Sequence, residues 1–427
     1  MPRPGTISAS PLTVAAFDVR AVREVRHGEG RVSRTPGDPL LEIDLDVVES
    51  LCSDEPALGS LRAHVVRPGD SVRIANVLDA VVPSVKADDP AATFPGVLGP
   101  ADALCGTGRT DRLDGIAVLS TLDMGALIDP DDPIPASYVD MDGSGASLTP
   151  WGSTINLVLE LVAAQGASLA DVDAAARRTL LRAARDLASA TAEDSDADTE
   201  SVFALGEVAG ELPVVVPILQ FTAEGPGLTT YLRGAPVDLV SPCAVDPRAL
   251  LDGALTAGAY DSPAARVSTG TIQRSRLLHR LLNEHGTALV CPGAVLTQGY
   301  LDDADDKRRM ADGAAHIAAE ELGADAAICT TYSLGNSHTD TMLTLRACEQ
   351  LGVRAVGIVA EEGGLTDHVA EADALVSTGN VLERADGWTP ASVIGETDHE
   401  APAQVPVLHY LDAATQLGDG RLRGVTI

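Results

Sequence analysis

Lysine is almost missing from this sequence: only Lys86 and Lys307 contribute to its 30 cationic residues, the rest being arginine. Two lysines leave little material for Schiff-base chemistry, and no GxxxxGK[ST] phosphate loop is present. Aromatic residues make up 3% of the chain. No apolar run approaches the roughly 18 residues of a membrane span. The opening Met1-Pro-Arg-Pro-Gly5 has no apolar core of a secretory signal. The six cysteines (52, 105, 243, 291, 329, 348) form no CxxC pair. Such spacing predicts reduced thiols in a cytoplasm and no metal site. No His, Asp or Glu pair has convincing ligand spacing either.

Acidic residues are in large excess, giving a net charge of −32 over 427 residues. Such a field disfavours nucleic acid and anionic membrane as partners. With abundant alanine and arginine it also fits the compositional bias of a GC-rich genome with an acidic proteome. The chain is 45% hydrophobic, so it is globular, and its length suits two or three domains.

The clearest pattern runs from Val295 to Asn380. Leu289–Thr297 reads as a strand, Asp305–Leu322 as an amphipathic helix ended by Gly323, and Ala326–Ile328 as a second strand. A second helix is expected over Asp340–Leu351, closed by Gly352, then strands Ala355–Val359 and Ala374–Val376. Apolar strands separated by helical patterns predict a parallel sheet with right-handed crossovers. Ligands of such sheets sit at the carboxyl ends of the strands. The polar loops there supply the candidate ligand residues Gly335, Asn336, Thr339, Asp340, Gly363, Gly364, Thr378 and Gly379.

Within that edge, Cys329 and His338 are the catalytic candidates. A redox or nucleophilic Cys329 needs a lowered pKa, from His338 or from the helix beginning at Thr339. The plainer reading is a core thiol at a strand end. His338 stands where a helix N-terminus would offer N–H groups to a carboxylate or phosphate. The plainer alternative has Ser337 or Thr339 capping the helix, with His338 exposed.

Residues 7–150 alternate apolar and polar positions between Pro and Gly, predicting a β-rich region. Residues 151–260 read as an α/β region with a helix over Asp171–Ala190, capped by Ser168, and an apolar strand at Leu212–Leu219. Residues 261–395 form the parallel-sheet, Rossmann-like α/β domain, and 396–427 a tail in which His409-Tyr-Leu411 docks. Gly106-x-Gly108 reads as a hairpin, with phosphate binding the sharper alternative. Tyr138–Ala146 lacks the later glutamate of a calcium loop and reads as a structural loop.

Several stretches, in order, resemble the proprotein (alpha/beta) subunit of component B of the glycine/sarcosine/betaine reductase systems. They include Arg67-Pro-Gly-Asp-Ser-Val-Arg73, Phe94-Pro-Gly-Val97, Tyr138-Val-Asp-Met141, Leu148-Thr-Pro150, Asn156-Leu-Val158, Leu251-Asp-Gly-Ala254, Gly335-Asn336 with Thr339-Asp340, Glu371-Ala-Asp-Ala374 and Ser377-Thr-Gly379. The resemblance implies reductive C–N cleavage of a small amino acid or amine, beside a cysteine- or selenocysteine-bearing reductase subunit. It also implies cleavage before an internal cysteine that becomes a pyruvoyl group. That position falls at Tyr260 here, and the cysteine is absent. Tyrosine has no nucleophile on its Cβ, so an uncleaved chain without pyruvoyl is expected, with Ser262 and Cys243 as the two possible substitutes. The alternative function is a non-catalytic scaffold or small-ligand subunit of such a complex. A nucleotide-binding α/β protein is a third reading, disfavoured because no GxGxxG follows an expected strand.

Overall fold

The computed structural model describes residues 10–28, 33–35, 37–124, 127, 137–192, 196–208, 210–257, 267–332, 335–361, 374–395, 403–413 and 423–425. Two four-stranded sheets organise the N-terminal part. One has the order Thr199–Phe203, Leu12–Asp18, Gly108–Asp114, Ser84–Lys86; the other Leu58–Val66, Ile155–Ala163, Ile116–Thr121, Val77–Val81. Both are mixed, because Leu12–Asp18 runs parallel to Gly108–Asp114 and Ile116–Thr121 parallel to Ile155–Ala163. The helix Leu169–Ala188 packs on both sheets. Its Val172, Ala176, Leu180 and Leu187 join Phe17, Val118 and Leu157 in one core. Ser168 caps it by accepting from the Asp171 N–H at 3.2 Å, as the sequence indicates.

Pairing in these sheets runs past residue 150. The apolar run after Trp151 becomes the central strand Ile155–Ala163, and Thr199–Phe203 forms an edge. Ser392–Ile394 returns to pair in parallel with Val72–Ile74, whose other neighbour is Val139–Asp140.

The C-terminal part is a seven-stranded sheet of order Cys243–Val245, Ala294–Gln298, Val215–Phe221, Ala326–Thr330, Arg354–Glu361, Leu375–Asn380, Arg423–Val425. The five inner strands are mutually parallel and the two outer ones antiparallel to them. The helix Ala304–His316, continued by a π turn to Glu321, and the helix Asn336–Gln350 form two crossovers. Gly323 and Gly352 take φ of +67° and +82° after them, the left-handed caps expected. The parallel expectation therefore holds for strands 326–330, 354–361 and 375–380. Two bounds move. The first strand begins at Ala294, and the second helix begins at Asn336 because Gly335, at φ +56°, turns the chain into it without a side-chain cap.

A buried ion pair fixes the far end of the chain. Arg73 Nε and Nη2 donate to the two oxygens of Asp140 at 2.6 and 2.9 Å, and both side chains are 1% exposed. The Tyr410 hydroxyl donates to the same carboxylate at 2.8 Å, docking the segment anticipated at 409–411. The acidic loop at Tyr138 is thus structural. Asp140→Ala leaves Arg73 buried and uncompensated and is expected to cost about 3–5 kcal/mol. Tyr410→Phe removes one bond to a charged group, worth about 1.5–3 kcal/mol. Urea unfolding of the two variants checks the ranking; equal losses would mean that the carboxylate's weight lies in the tyrosine contact.

Candidate functional site

At the carboxyl edge of the large sheet, Val215–Phe221 lies between strands that leave in opposite directions, to Ala294–Gln298 and to Ala326–Thr330. That reversal opens a crevice at the strand ends. Gln220 spans it: its amide donates to the Ser337 carbonyl at 3.1 Å and accepts from the Tyr332 N–H at 2.8 Å. A Cβ on Gly299 would fall 2.5 Å from that amide, so this position needs glycine.

Asp340 is the organiser of the edge. It accepts from Lys307 Nζ at 2.6 Å and from the backbone N–H groups of Tyr300 and Leu301 at 2.8 and 3.3 Å. Burial pushes its carboxyl above the ordinary range, against the pull of Lys307. Asn336 Nδ2 donates to the Leu301 carbonyl at 3.0 Å, closing the same loop over the helix start. Asp340, Asn336 and Gly335 are therefore brought together. Thr339 is exposed one turn along and does not cap the helix, and nor does Ser337. His338 is 2% exposed, so the exposed reading is corrected: the earlier helix start turns it inward. Thr378 is buried on the Val359 carbonyl at 3.4 Å, and Gly379 takes φ +109°. Gly363, Gly364, Tyr260 and Ser262 lie outside the described residues.

Cys329 is 1% exposed in the core beneath this edge. A hydrogen bond shared with Cys348, together with burial, pushes its thiol well above the ordinary range. A nucleophile needs the opposite shift. The environment is that of a core thiol, and the candidate catalytic role finds no support in it. Among the described residues no group of three or more His, Cys, Asp or Glu could hold a metal.

A second constellation joins the N-terminal sheets to the C-terminal part. Asp252 accepts from Lys86 Nζ and Gly106 N–H, both at 2.8 Å, and from Thr110 Oγ1 at 2.5 Å. The Gly106 amide is thus occupied by a carboxylate. Asp79, in the strand Val77–Val81, accepts from Thr269 N–H at 2.8 Å and Thr269 Oγ1 at 2.7 Å. Asp412 accepts from Ser268 N–H and Oγ at 2.8 and 2.6 Å, and from the Trp151 indole at 2.6 Å. Thr269 Oγ1 also accepts from the Ala257 N–H at 2.9 Å, and Arg177 donates to the Ala257 carbonyl at 2.9 Å. Ala257 is three residues before Tyr260, the position the family resemblance marks for cleavage.

An open cleft of about 420 Å³ is lined by Arg177, Arg178, Asp173, Tyr231, Ala223 and Asp238. Arg177 stacks on the Tyr231 ring at 4.7 Å and reaches Asp173 at 3.5 Å, while Arg178 is held by Glu55. Two arginines, two carboxylates and an aromatic face around such a volume suit a small polar ligand. This cleft is not among the sites expected from the sequence. The available signal was the Asp173/Arg177 spacing of four, on a face otherwise made of alanine and leucine.

The chain belongs to the glycine/sarcosine/betaine reductase component B subunits, whose family pattern matches residues 17–404. It is similar to the glycine reductase complex component B subunits alpha and beta of Acetoanaerobium sticklandii, 30% identical over 347 residues, covering 78% of each chain. It also resembles two proteins of Peptoclostridium acidaminophilum. With the sarcosine reductase complex component B subunit alpha it is 28% identical over 88% of each chain. With the betaine reductase complex component B subunit alpha it is 28% identical over 84% of each. No solved structure matches it. Its homologues are parts of multi-subunit reductase complexes, and no helix among its described residues is long and apolar enough to cross a membrane.

The junction carboxylates give stability a pH dependence. Burial raises Asp79 from 3.8 to about 7 and Asp412 to about 6, with their hydrogen bonds opposing it. Raised folded-state values mean that the folded chain holds protons the unfolded chain has released. The stabilising contribution is complete below the unfolded value and is lost as pH rises through about 6 and then about 7. Urea midpoints should therefore fall as pH rises from 3.8 to about 7, and Asp412→Asn should remove the share of the decline that ends at about 6. A midpoint rising across that window would contradict the assignment.

Proposed function

We propose that the chain is the component-B-type subunit of a complex that reductively cleaves the C–N bond of a small amino acid or amine. Electrons come from a cysteine- or selenocysteine-bearing partner subunit. The observation that carries this is the coincidence of the family's ordered stretches with the junction. Leu251-Asp-Gly-Ala254 is the stretch whose Asp252 closes the Lys86 contact, and it leads to Ala257, whose carbonyl accepts from the Arg177 that lines the cleft. The parallel sheet, read as Rossmann-like, supports the same placement, since Val215–Phe221 and its neighbours run toward Ala223 on the cleft wall.

Within the cleft, Arg177 is the cation available to a substrate carboxylate, while Asp173, Asp238 and the Tyr231 ring suit its amine. The sheet-edge loop around Asp340 and Asn336 would position the strand ends beneath. The cytoplasm is the compartment that fits six free thiols.

A pyruvoyl group does not fit the residues present. Forming it needs a Ser or Cys side chain that attacks its preceding carbonyl and then eliminates. Tyr260 has no oxygen on its Cβ. Cys243 is held in the sheet ladder opposite Leu296, and burial raises its thiol to about 11. No step is therefore routed through that group, and substrate activation falls to the cleft's own side chains. A scaffold or ligand-binding subunit is the second reading, and the substitution at 260 favours it over a cleaved enzyme.

Two measurements test these readings. The purified chain should run as one band near 44.0 kDa and take up no hydrazide label. Two fragments, or a labelled new N-terminus, would restore a pyruvoyl route through Ser262 or Cys243. Reconstituted with its thiol- or selenol-bearing partner, it should deaminate glycine, sarcosine, betaine or a related amine reductively. Arg177→Met should lower kcat/KM by about 10²-fold, the effect of misplacing a substrate. Absence of turnover with every substrate, alongside retained ligand binding, would leave the scaffold reading.

A further inference from the structure

Behind the open cleft lies a second, much smaller void of about 20 Å³. Asp79, Ser120, Asp173, Ala176, Arg177 and Ala257 line it. Its volume exceeds the roughly 10–15 Å³ that one water requires, and its lining offers the polar partners a buried water needs. Asp173 and Arg177 line both spaces, so they form the partition between void and cleft.

The geometry points to Asp79 as a proton store that serves the cleft through one water held in this void. The inference rests on the reductive C–N cleavage proposed above, for a primary or secondary amine that reacts in its neutral form and so must gain a proton on departing. Three hydrogen bonds hold the carboxyl: Ala80 N–H and Thr269 N–H reach Oδ1, both at 2.8 Å, and Thr269 Oγ1 reaches Oδ2 at 2.7 Å. In the transfer, the O–H bond of the Asp79 carboxyl breaks and its proton passes to the water. The water releases one of its own protons to the nitrogen in the cleft. The bonding pair of the broken C–N bond becomes the lone pair that accepts it, and a lone pair of the partner's thiolate or selenolate forms the new S–C or Se–C bond at that carbon. Asp79 is left as a carboxylate stabilised by the same three donors, and solvent entering by the cleft reprotonates it.

The charged groups facing Asp79 are few. The helix Leu169–Ala188 presents Asp173 and Arg177 at the void. The strand Ile116–Thr121 presents Ser120 there, and the segment opening the helix Thr269–Gln273 presents only Thr269 to the carboxyl. Arg177 favours the ionised form and burial opposes it, with burial the larger effect. Asp79 therefore exchanges its proton at about 7.

The full chain, labelled with ¹³C at the aspartate carboxyls, tests the store without any assay of turnover. Besides the Asp412 carboxyl at about 6, infrared spectra should show a carboxyl losing its proton at about 7, and that band should be missing from Asp79→Asn. After a pH jump the band should decay fast. Ala176→Val, which fills the void, should slow the decay about tenfold or more, because the proton must then wait for local opening. A band that decays slowly in the unchanged chain, or equally fast in both, overturns the connection to the cleft. Ordinary acidic titration of every aspartate overturns the store itself. In the reconstituted complex, Asp79→Asn should abolish the fall in kcat on the alkaline side of neutrality. It should also lower the rate below that limb by about 10²-fold or more, the range of general acid catalysis. An unchanged profile would make Asp79 structural alone. If the complex turns over no amine at all while the void responds as described, the reductase reading fails and the store stands.

Discussion

The contact between Asp252 and Lys86 is the constraint from which the rest of this architecture follows. It ties the strand Ser84–Lys86 of one N-terminal sheet to the turn after Leu251, across 166 residues of chain. The pair is almost fully buried, and such a pair is costly unless every lone pair and proton is satisfied. Here Gly106 N–H and Thr110 Oγ1 complete the carboxylate, and the Thr107 carbonyl and Thr110 complete the ammonium. Arg112 extends the seam by donating to the carbonyls of Leu251 and Gln273. With that seam closed, Thr269 meets Asp79 and Ser268 meets Asp412, and Ala257 is held against Arg177. The site is a consequence of the junction rather than of either part alone.

The scarcity of lysine takes on a physical meaning in this light. Both lysines are inside, each against an aspartate, Lys86 with Asp252 and Lys307 with Asp340. One pair locks the two parts together and the other locks the loop at Tyr300 over the sheet edge. Arg73, Arg112, Arg177 and Arg248 are also buried. In a chain with net charge −32, these buried cations are matched by buried carboxylates such as Asp140, Asp173, Asp252 and Asp340. Compositional bias accounts for the acidic excess, but it does not account for where the two lysines lie.

The parallel sheet was legible because its strands are short apolar runs separated by helices with glycine stops, and each of those signals is local. The start of the second helix was misplaced for a local reason too. Gly335 turns the chain by its positive φ, and no side chain caps the helix, so the usual polar marker is absent. Burial of His338 followed from that shift. Within the candidate loop, Asp340 and Asn336 are brought together by backbone contacts to Tyr300 and Leu301 that spacing alone cannot show. The junction was not legible at all. Asp79 and Thr269 are 190 positions apart, and Asp412 and Trp151 are 261 apart. An isolated Asp79 in an apolar strand reads only as an oddity, and its partner arrives from a stretch with no apolar period of its own.

The family's ordered stretches and the missing nucleophile can be reconciled through the anchoring of Ala257 and Ser268. Ala257 is fixed by Thr269 on its N–H and by Arg177 on its carbonyl. Ser268 is fixed by Asp412 through both backbone and hydroxyl. These anchors bracket the segment that carries position 260, and none of them uses the side chain at that position. The junction therefore holds both flanks whether or not the peptide between them is cut. On the reading proposed above, a tyrosine at 260 would leave these flanking contacts in place, because they are made by Ala257, Thr269, Arg177, Ser268 and Asp412. The framework that the family pattern follows from residue 17 to residue 404 is in this sense separable from the residue at 260.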